Sequence, residues 1–129
     1  MPEFPSITHL ALTVSDLKRS VPWYGNLFGS KPVLDEDTGA FHHVVWLVGH
    51  TLIGIHQFPD PKTEAFDERR VGLDHVAFAC ANRAELQQWE ARLNELGVAH
   101  GGIMDAHYGS GLSFRDPDNI ALEFFAPPG

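Results

Sequence analysis

Cys80 is the only cysteine in a chain of 129 residues. An internal disulfide framework is therefore excluded, and the fold must rest on its core. Basic residues are also few: 9 Lys and Arg stand against 17 Asp and Glu, a formal charge of −8. Nucleic acid needs a basic face to displace its counterions, so the balance excludes that class of partner. An anionic membrane surface is excluded on the same ground. No apolar run reaches the ~18 residues a spanning helix needs, and no basic-then-apolar leader opens the chain. The lone thiol suits a reducing compartment. These absences lead to the expectation of a cytoplasmic protein that acts on a small molecule.

What is present is enough to bury a core. At 14.3 kDa, with 43% hydrophobic and 20% charged residues, the chain fits one compact domain spanning 1–129. Histidine is unusually frequent, with eight, and it directs attention to metals.

The chain also repeats itself. Ile7-Thr8-His9-Leu10-Ala11-Leu12 and Leu73-Asp74-His75-Val76-Ala77-Phe78 both alternate and both carry histidine third. Each is followed by a helical pattern that ends at glycine, Gly29 or Gly97. In the second helix Asn82 and Glu85 form a capping box, and Leu86, Trp89, Leu93 and Leu96 form one apolar stripe. In the first, Leu17, Val21, Tyr24 and Leu27 form the stripe, Ser15 or Ser20 is the expected cap, and Pro22 places the start near Ser20. Three strand candidates follow each helix: 32–35, 41–48 and 51–58, then 98–103, 111–115 and 120–126. The predicted fold is α+β, two tandem βαβββ modules (5–58 and 72–126) joined by a linker over 59–71. Helices lie outside a curved mixed sheet that forms a cup.

Strand parity selects the chemistry. Leu10, Leu12 and Val14 share the helix-facing side of the first strand, which puts His9 on the other face. The same parity sends Cys80 into the core and His75 to the open side. Counting forward, 9 + 47 gives His56 and 75 + 48 gives Glu123, each on its module's last strand. This near-equal spacing predicts equivalent positions, with His9, His56, His75 and Glu123 converging about a pseudo-two-fold axis. Three imidazoles and a carboxylate suit zinc, nickel, cobalt, manganese or iron(II). A two-residue turn at Gly49-His50 would set His43 opposite His56, where it becomes a candidate acid–base group. His42, His50 and His100 are expected on the solvent side. His107 and Tyr108 precede Gly109-Ser110-Gly111, read as a turn, and form a candidate lip over the pocket. Asp116-Pro117-Asp118-Asn119 is a turn by its chemistry.

These residues resemble the vicinal oxygen chelate superfamily, which includes glyoxalase I, extradiol dioxygenases, fosfomycin-resistance thiol transferases and bleomycin-resistance proteins. Ser15-Asp16-Leu17, Trp23-Tyr24 and Phe114-Arg115-Asp116-Pro117-Asp118 carry the resemblance together with the two histidine strands. It implies metal ligands at His9, His75 and Glu123, with the family's fourth position falling on His56, and a homodimer. It also implies a Lewis-acid metal steadying negative charge on a chelated substrate, with Glu123 as proton shuttle. The favoured expectation is a glyoxalase-like lyase or isomerase acting on a small carbonyl or thiol adduct. A single-domain iron(II) dioxygenase is the alternative, and a metal-free drug-binding protein the third. Three departures bear on the choice: bacterial glyoxalase I typically carries glutamate where His56 stands, the tyrosine of extradiol dioxygenases before the last turn is replaced in the neighbourhood of Ser113 and Phe114, and no basic cluster follows the last strand to hold a phosphonate.

Overall fold

The computed structural model describes residues 1–62 and 64–129. Thr63, inside the expected linker, lies outside the described residues. The chain divides into two compact units, Met1–Thr63 and Glu64–Gly129, each with one βαβββ module.

In the first unit β1 (His9–Thr13) leads into α1 (Leu17–Phe28), then β2 (Leu34–Asp37), β3 (His42–Val48) and β4 (Thr51–Gln57). The four strands form one sheet in the order β1-β4-β3-β2, with β1 parallel to β4 and the other pairs antiparallel. Alternation decides which face is covered. Leu12, Val14, Val44, Trp46, Ile53 and Ile55 are buried on the α1 side. Tyr24 of α1 lies 6.4 Å from the Trp46 ring, centroid to centroid, and Phe28 lies 5.6 Å from it. Burying side chains of this size is the main stabilisation of the unit. Val48 pairs with Thr51 across the Gly49-His50 turn, as the sequence suggested.

The start of α1 differs from expectation. Asp16, neither Ser15 nor Ser20, caps the helix by accepting a hydrogen bond from the Lys18 N–H at 3.0 Å. The helix therefore begins at Leu17 and carries Pro22 inside it. Proline removes one N–H donor there, and the buried face of Leu17, Tyr24 and Leu27 outweighs that loss. The second strand also falls later than 32–35, as an exposed, acidic edge (Leu34–Asp37) that discourages pairing with other chains.

The second unit repeats the plan with β5 (Val76–Ala79), α2 (Arg83–Glu95), β6 (His100–Ala106), β7 (Gly109–Arg115) and β8 (Ala121–Ala126), in the order β5-β8-β7-β6. Asn82 accepts from the Glu85 N–H at 2.9 Å, and the Glu85 carboxylate reaches back to the Ala81 N–H at 2.8 Å. The reciprocal cap is therefore present, displaced by one residue at its return arm. Leu86 and Leu93 are fully buried, and Trp89 stacks on Phe124 at 4.3 Å. Cys80 is buried on the helix side, where burial, then the charge of Glu85, pushes its thiol up.

Two readings in this half are corrected. Gly109-Ser110-Gly111 opens β7 and is not a turn; the turn is the pair His107-Tyr108, flanked by Ala106 opposite Gly109. The expected linker is not uniform either. Its latter part belongs to the second unit, because the Phe66 N–H donates to the Asp118 carbonyl and Asn119 donates back to the Phe66 carbonyl, both at 2.9 Å. Glu68 adds a two-pronged ion pair with Arg115, which holds its carboxyl at about 2. Asn119 adopts φ 67°, the left-handed turn its side chain tolerates. Among the described residues no helix is long and apolar enough to cross a membrane.

Candidate metal centre

β5 and β8 run parallel with Ala77 opposite Glu123, so the carboxylate rises from the face that α2 leaves open. His75 stands one residue before β5, on the same parity as Ala77. Its Nε2 lies 3.6 Å from Glu123 Oε2, and its Nδ1 lies 2.8 Å from Asp74 Oδ1. A separation of 3.6 Å is too long for a hydrogen bond. It is close to the separation of two ligands on one ion, since bonds of ~2.0–2.2 Å at a tetrahedral angle put their donor atoms roughly 3.4 Å apart. The spacing of this pair therefore fits two ligands of one divalent metal.

Space for this carboxylate comes from a missing side chain. A Cβ placed on Gly111 would meet Glu123 Oε1 at 3.0 Å and its Cδ at 3.3 Å. The carboxylate thus lies over the glycine of the neighbouring strand. Ser113 is directly opposite Glu123 on β7 and carries the only hydroxyl in that row.

The first unit has the same frame with other contents. Its ladders give three rows on the open face: Leu47–Leu52–His9, then Leu34–Val45–Gly54–Ala11, then Glu36–His43–His56–Thr13. Superposing His9 on His75 sets Ala11 on Ala77, whose partners are Gly54 and Glu123. The counterpart of Glu123 is therefore Gly54, at 9 + 45, and His56 corresponds to Phe125. Near-equal counting from the histidines does not give equivalent positions, because the second module is three residues longer between its first and last strands.

His56 nevertheless leans into the space that Gly54 leaves. A Cβ on Gly54 would lie 3.6 Å from His56 Nε2 and 3.3 Å from Val45 Cγ2. The imidazole stacks on Phe41 at 4.8 Å and 16°, with the His43 ring 5.0 Å away. Burial, then the charge of His43, lowers the His56 pKa and favours its neutral, ligand-competent form.

The structure thus brings His75 together with Glu123, and His43 together with His56. His9 is exposed at the start of β1, two rows from His56. Among the described residues, no group of three or more His, Cys, Asp or Glu side chains is placed to hold a metal. Of the expected solvent-side histidines, His42 meets Asp35 at 2.6 Å and His100 meets Asn94 at 2.7 Å, while His50 is exposed. The lip is a tight hairpin whose Tyr108 stacks over Phe125 at 6.2 Å. Gly109 is essential to it: at φ 146°, a Cβ would fall 2.3 Å from the Phe125 ring and 2.5 Å from the Ala126 carbonyl. Sequence reasoning missed Gly54, Gly111 and Asp74. The first two had a signal, since each glycine sits at an open-face position of a strand where a side chain is otherwise expected.

Comparison with known proteins places these observations. A family model described as the Glyoxalase/Bleomycin resistance protein/Dioxygenase superfamily matches residues 6–124. The crystal structure of a glyoxylase/bleomycin resistance protein/dioxygenase domain from Frankia sp. EAN1pec superposes with a TM-score of 0.89. It is 31% identical and covers 98% of this chain and 100% of its own. The Metallothiol transferase FosB of Staphylococcus epidermidis is 27% identical, over 94% of this chain and 81% of that protein. A variant of the fosfomycin resistance protein FosX from Listeria monocytogenes, complexed with Mn(II) and 1S,2S-dihydroxypropylphosphonic acid, shares the fold. Its TM-score is 0.74 at 19% identity, covering 98% of this chain and 95% of that one.

Proposed function

Starting from the Glyoxalase/Bleomycin resistance protein/Dioxygenase superfamily, to which this chain belongs, we propose that the protein is a metal-dependent enzyme of the glyoxalase-like type. It acts as a lyase or isomerase on a small carbonyl or thiol-adduct substrate. His9, His75 and Glu123 are its metal ligands, and His56 supplies a fourth by leaning over Gly54. The observation that carries this reading is the 3.6 Å approach of His75 Nε2, just before β5, and Glu123 Oε2 on its neighbour β8.

A bound divalent ion supplies Lewis acidity, which makes a proton next to a chelated carbonyl easier to remove. The chain's own residues then move that proton. A Glu123 carboxylate oxygen takes it from the carbon that bears hydroxyl and sulfur and returns it to the former carbonyl carbon, while the hydroxyl proton passes to the former carbonyl oxygen, so that an oxoaldehyde–thiol adduct becomes a hydroxy thioester with no atom gained or lost. His43 is the second candidate for the same transfer. Val45, Leu47 and Leu52 make the open face of the first sheet largely apolar, beside Phe41.

Thiol transfer is the second reading, favoured by the likeness to FosB, whose name describes a metallothiol transferase. Against a phosphonate substrate stands the pairing of cations: all five arginines of Glu64–Gly129 face carboxylates, including Arg115, the one on the open face.

The deciding experiment combines metal analysis with assay. Purified protein should contain zinc, nickel, cobalt or manganese, and should isomerise an oxoaldehyde–thiol adduct with a rate that chelator abolishes and added metal restores. Several thiols are needed as co-substrates. Ring cleavage of catechols with iron(II) and oxygen, without turnover of any adduct, would instead make it a dioxygenase. Absence of bound metal and of both activities would leave a drug-binding protein.

A further inference from the structure

His75 is the only proposed ligand whose second ring nitrogen meets a carboxylate: its Nδ1 lies 2.8 Å from Asp74 Oδ1. A carboxylate only accepts, so the hydrogen of this bond belongs to Nδ1. In a neutral imidazole the other nitrogen then carries the lone pair, and that nitrogen is the Nε2 pointing toward Glu123 Oε2. Two lone-pair-bearing atoms 3.6 Å apart repel each other unless a cation lies between them. Left to itself in water, a histidine side chain favours the opposite tautomer, with hydrogen on Nε2, which cannot bind metal through that atom. A partner at Nδ1 that reverses this preference in advance removes the cost a metal otherwise meets in selecting the minor tautomer. Asp74 is the only residue recorded at Nδ1 of this ring among the described residues.

We infer that Asp74 is a positioning residue: it holds His75 as the Nδ1–H tautomer and so presents Nε2, in advance, as a ligand facing Glu123. The assignment rests on His75 being a ligand, the reading proposed above. Partners of this kind fix ring orientation and raise ligand basicity at metal sites. The carboxylate comes from the residue just before the ligand, and Gly72, at φ 146°, lies where the chain turns into that segment. Asp74 touches neither substrate nor metal in this account, so it acts only through the imidazole.

Nitrogen-15 NMR of the metal-free protein, above the pH at which imidazole titrates, reads the tautomer directly. Wild type should show hydrogen on Nδ1 of His75, Asp74→Ala should shift the ring toward the Nε2–H form, and Asp74→Asn, which still offers an oxygen, should keep the wild-type pattern. Titration with Mn(II) and Zn(II) should show binding weakened ~10- to 100-fold in Asp74→Ala, with most of the loss restored in Asp74→Asn. An unchanged tautomer in Asp74→Ala overturns the inference even if affinity falls, since the loss is then one of charge alone. Equal affinity in all three proteins overturns it as well. If wild type binds neither ion, the proposed metal function fails, while the tautomer still decides whether Asp74 sets the ring.

Discussion

The two units share a chain path and differ in the side chains on their open faces. Where the second unit has Glu123 the first has Gly54; where it has Gly111 the first has His43; where it has Phe125 the first has His56. The contrast shows how a duplicated frame is specialised by emptying positions as well as filling them. In the second unit an empty position at 111 accommodates a carboxylate from the next strand. In the first, an empty position at 54 accommodates an imidazole from two residues further along the same strand. Both functional groups reach their places by leaning over a glycine.

The largest effect should come from breaking the second unit's pair. Glu123→Ala or His75→Ala should weaken metal binding beyond the ~10- to 100-fold seen for lost supporting contacts, with circular dichroism unchanged. Isothermal titration with Mn(II) checks this, and affinity equal to wild type in both variants would refute the site. Next is Gly109→Ala, where the added carbon meets the Phe125 ring and the Ala126 carbonyl at positive φ. Strain and overpacking together should cost about 3 kcal/mol of stability, read by urea denaturation.

Gly111→Ala tests the leaning carboxylate itself. Its carbon would press on Glu123 Oε1 at 3.0 Å, which a flexible side chain relieves by moving away. Metal affinity should fall about tenfold while the melting temperature changes little, the reverse of the Gly109→Ala pattern. In the first unit, His56→Ala separates a fourth ligand from a wall residue: a ligand's loss weakens metal binding at least ~tenfold, whereas a wall residue's loss leaves binding alone.

The frame was legible because two independent signals agreed on it: alternation with histidine third in each copy, and glycine-ended helices. The pairing of His43 with His56 was legible too, since a two-residue turn fixes register. The counterpart of Glu123 was not. Register between parallel strands is set by a crossover connection, whose length sequence counting does not resolve, and three additional residues in the second module moved the match from His56 to Gly54. The start of α1 was misplaced for a different reason. Proline signals a first turn, but Asp16 offers a better cap and a buried face extends on both sides of Pro22.

The smallest predicted effect concerns the link between α2 and the β6–β7 hairpin. Hydrogen bonds from Arg83, then from Ser110, hold the Asp105 carboxyl at about 2. Because the folded value is depressed, the contribution is present above the ordinary carboxylate range and is lost as pH falls through about 2. Asp105→Asn should therefore lower the melting temperature slightly at neutral pH, with a gap to wild type that closes in acid. A gap that is constant with pH would assign the effect to packing.

The central claim, that Glu123 and His75 form a metal-binding pair with no equal in the first unit's own strands, has one direct measurement. Substoichiometric Mn(II) added to isotope-labelled protein broadens the resonances nearest the ion. The account predicts that His75 and Glu123 are lost first, with Gly111 and Ser113 close behind. Broadening that begins instead at the acidic edge strand Leu34–Asp37, with His75 and Glu123 still sharp, would contradict it.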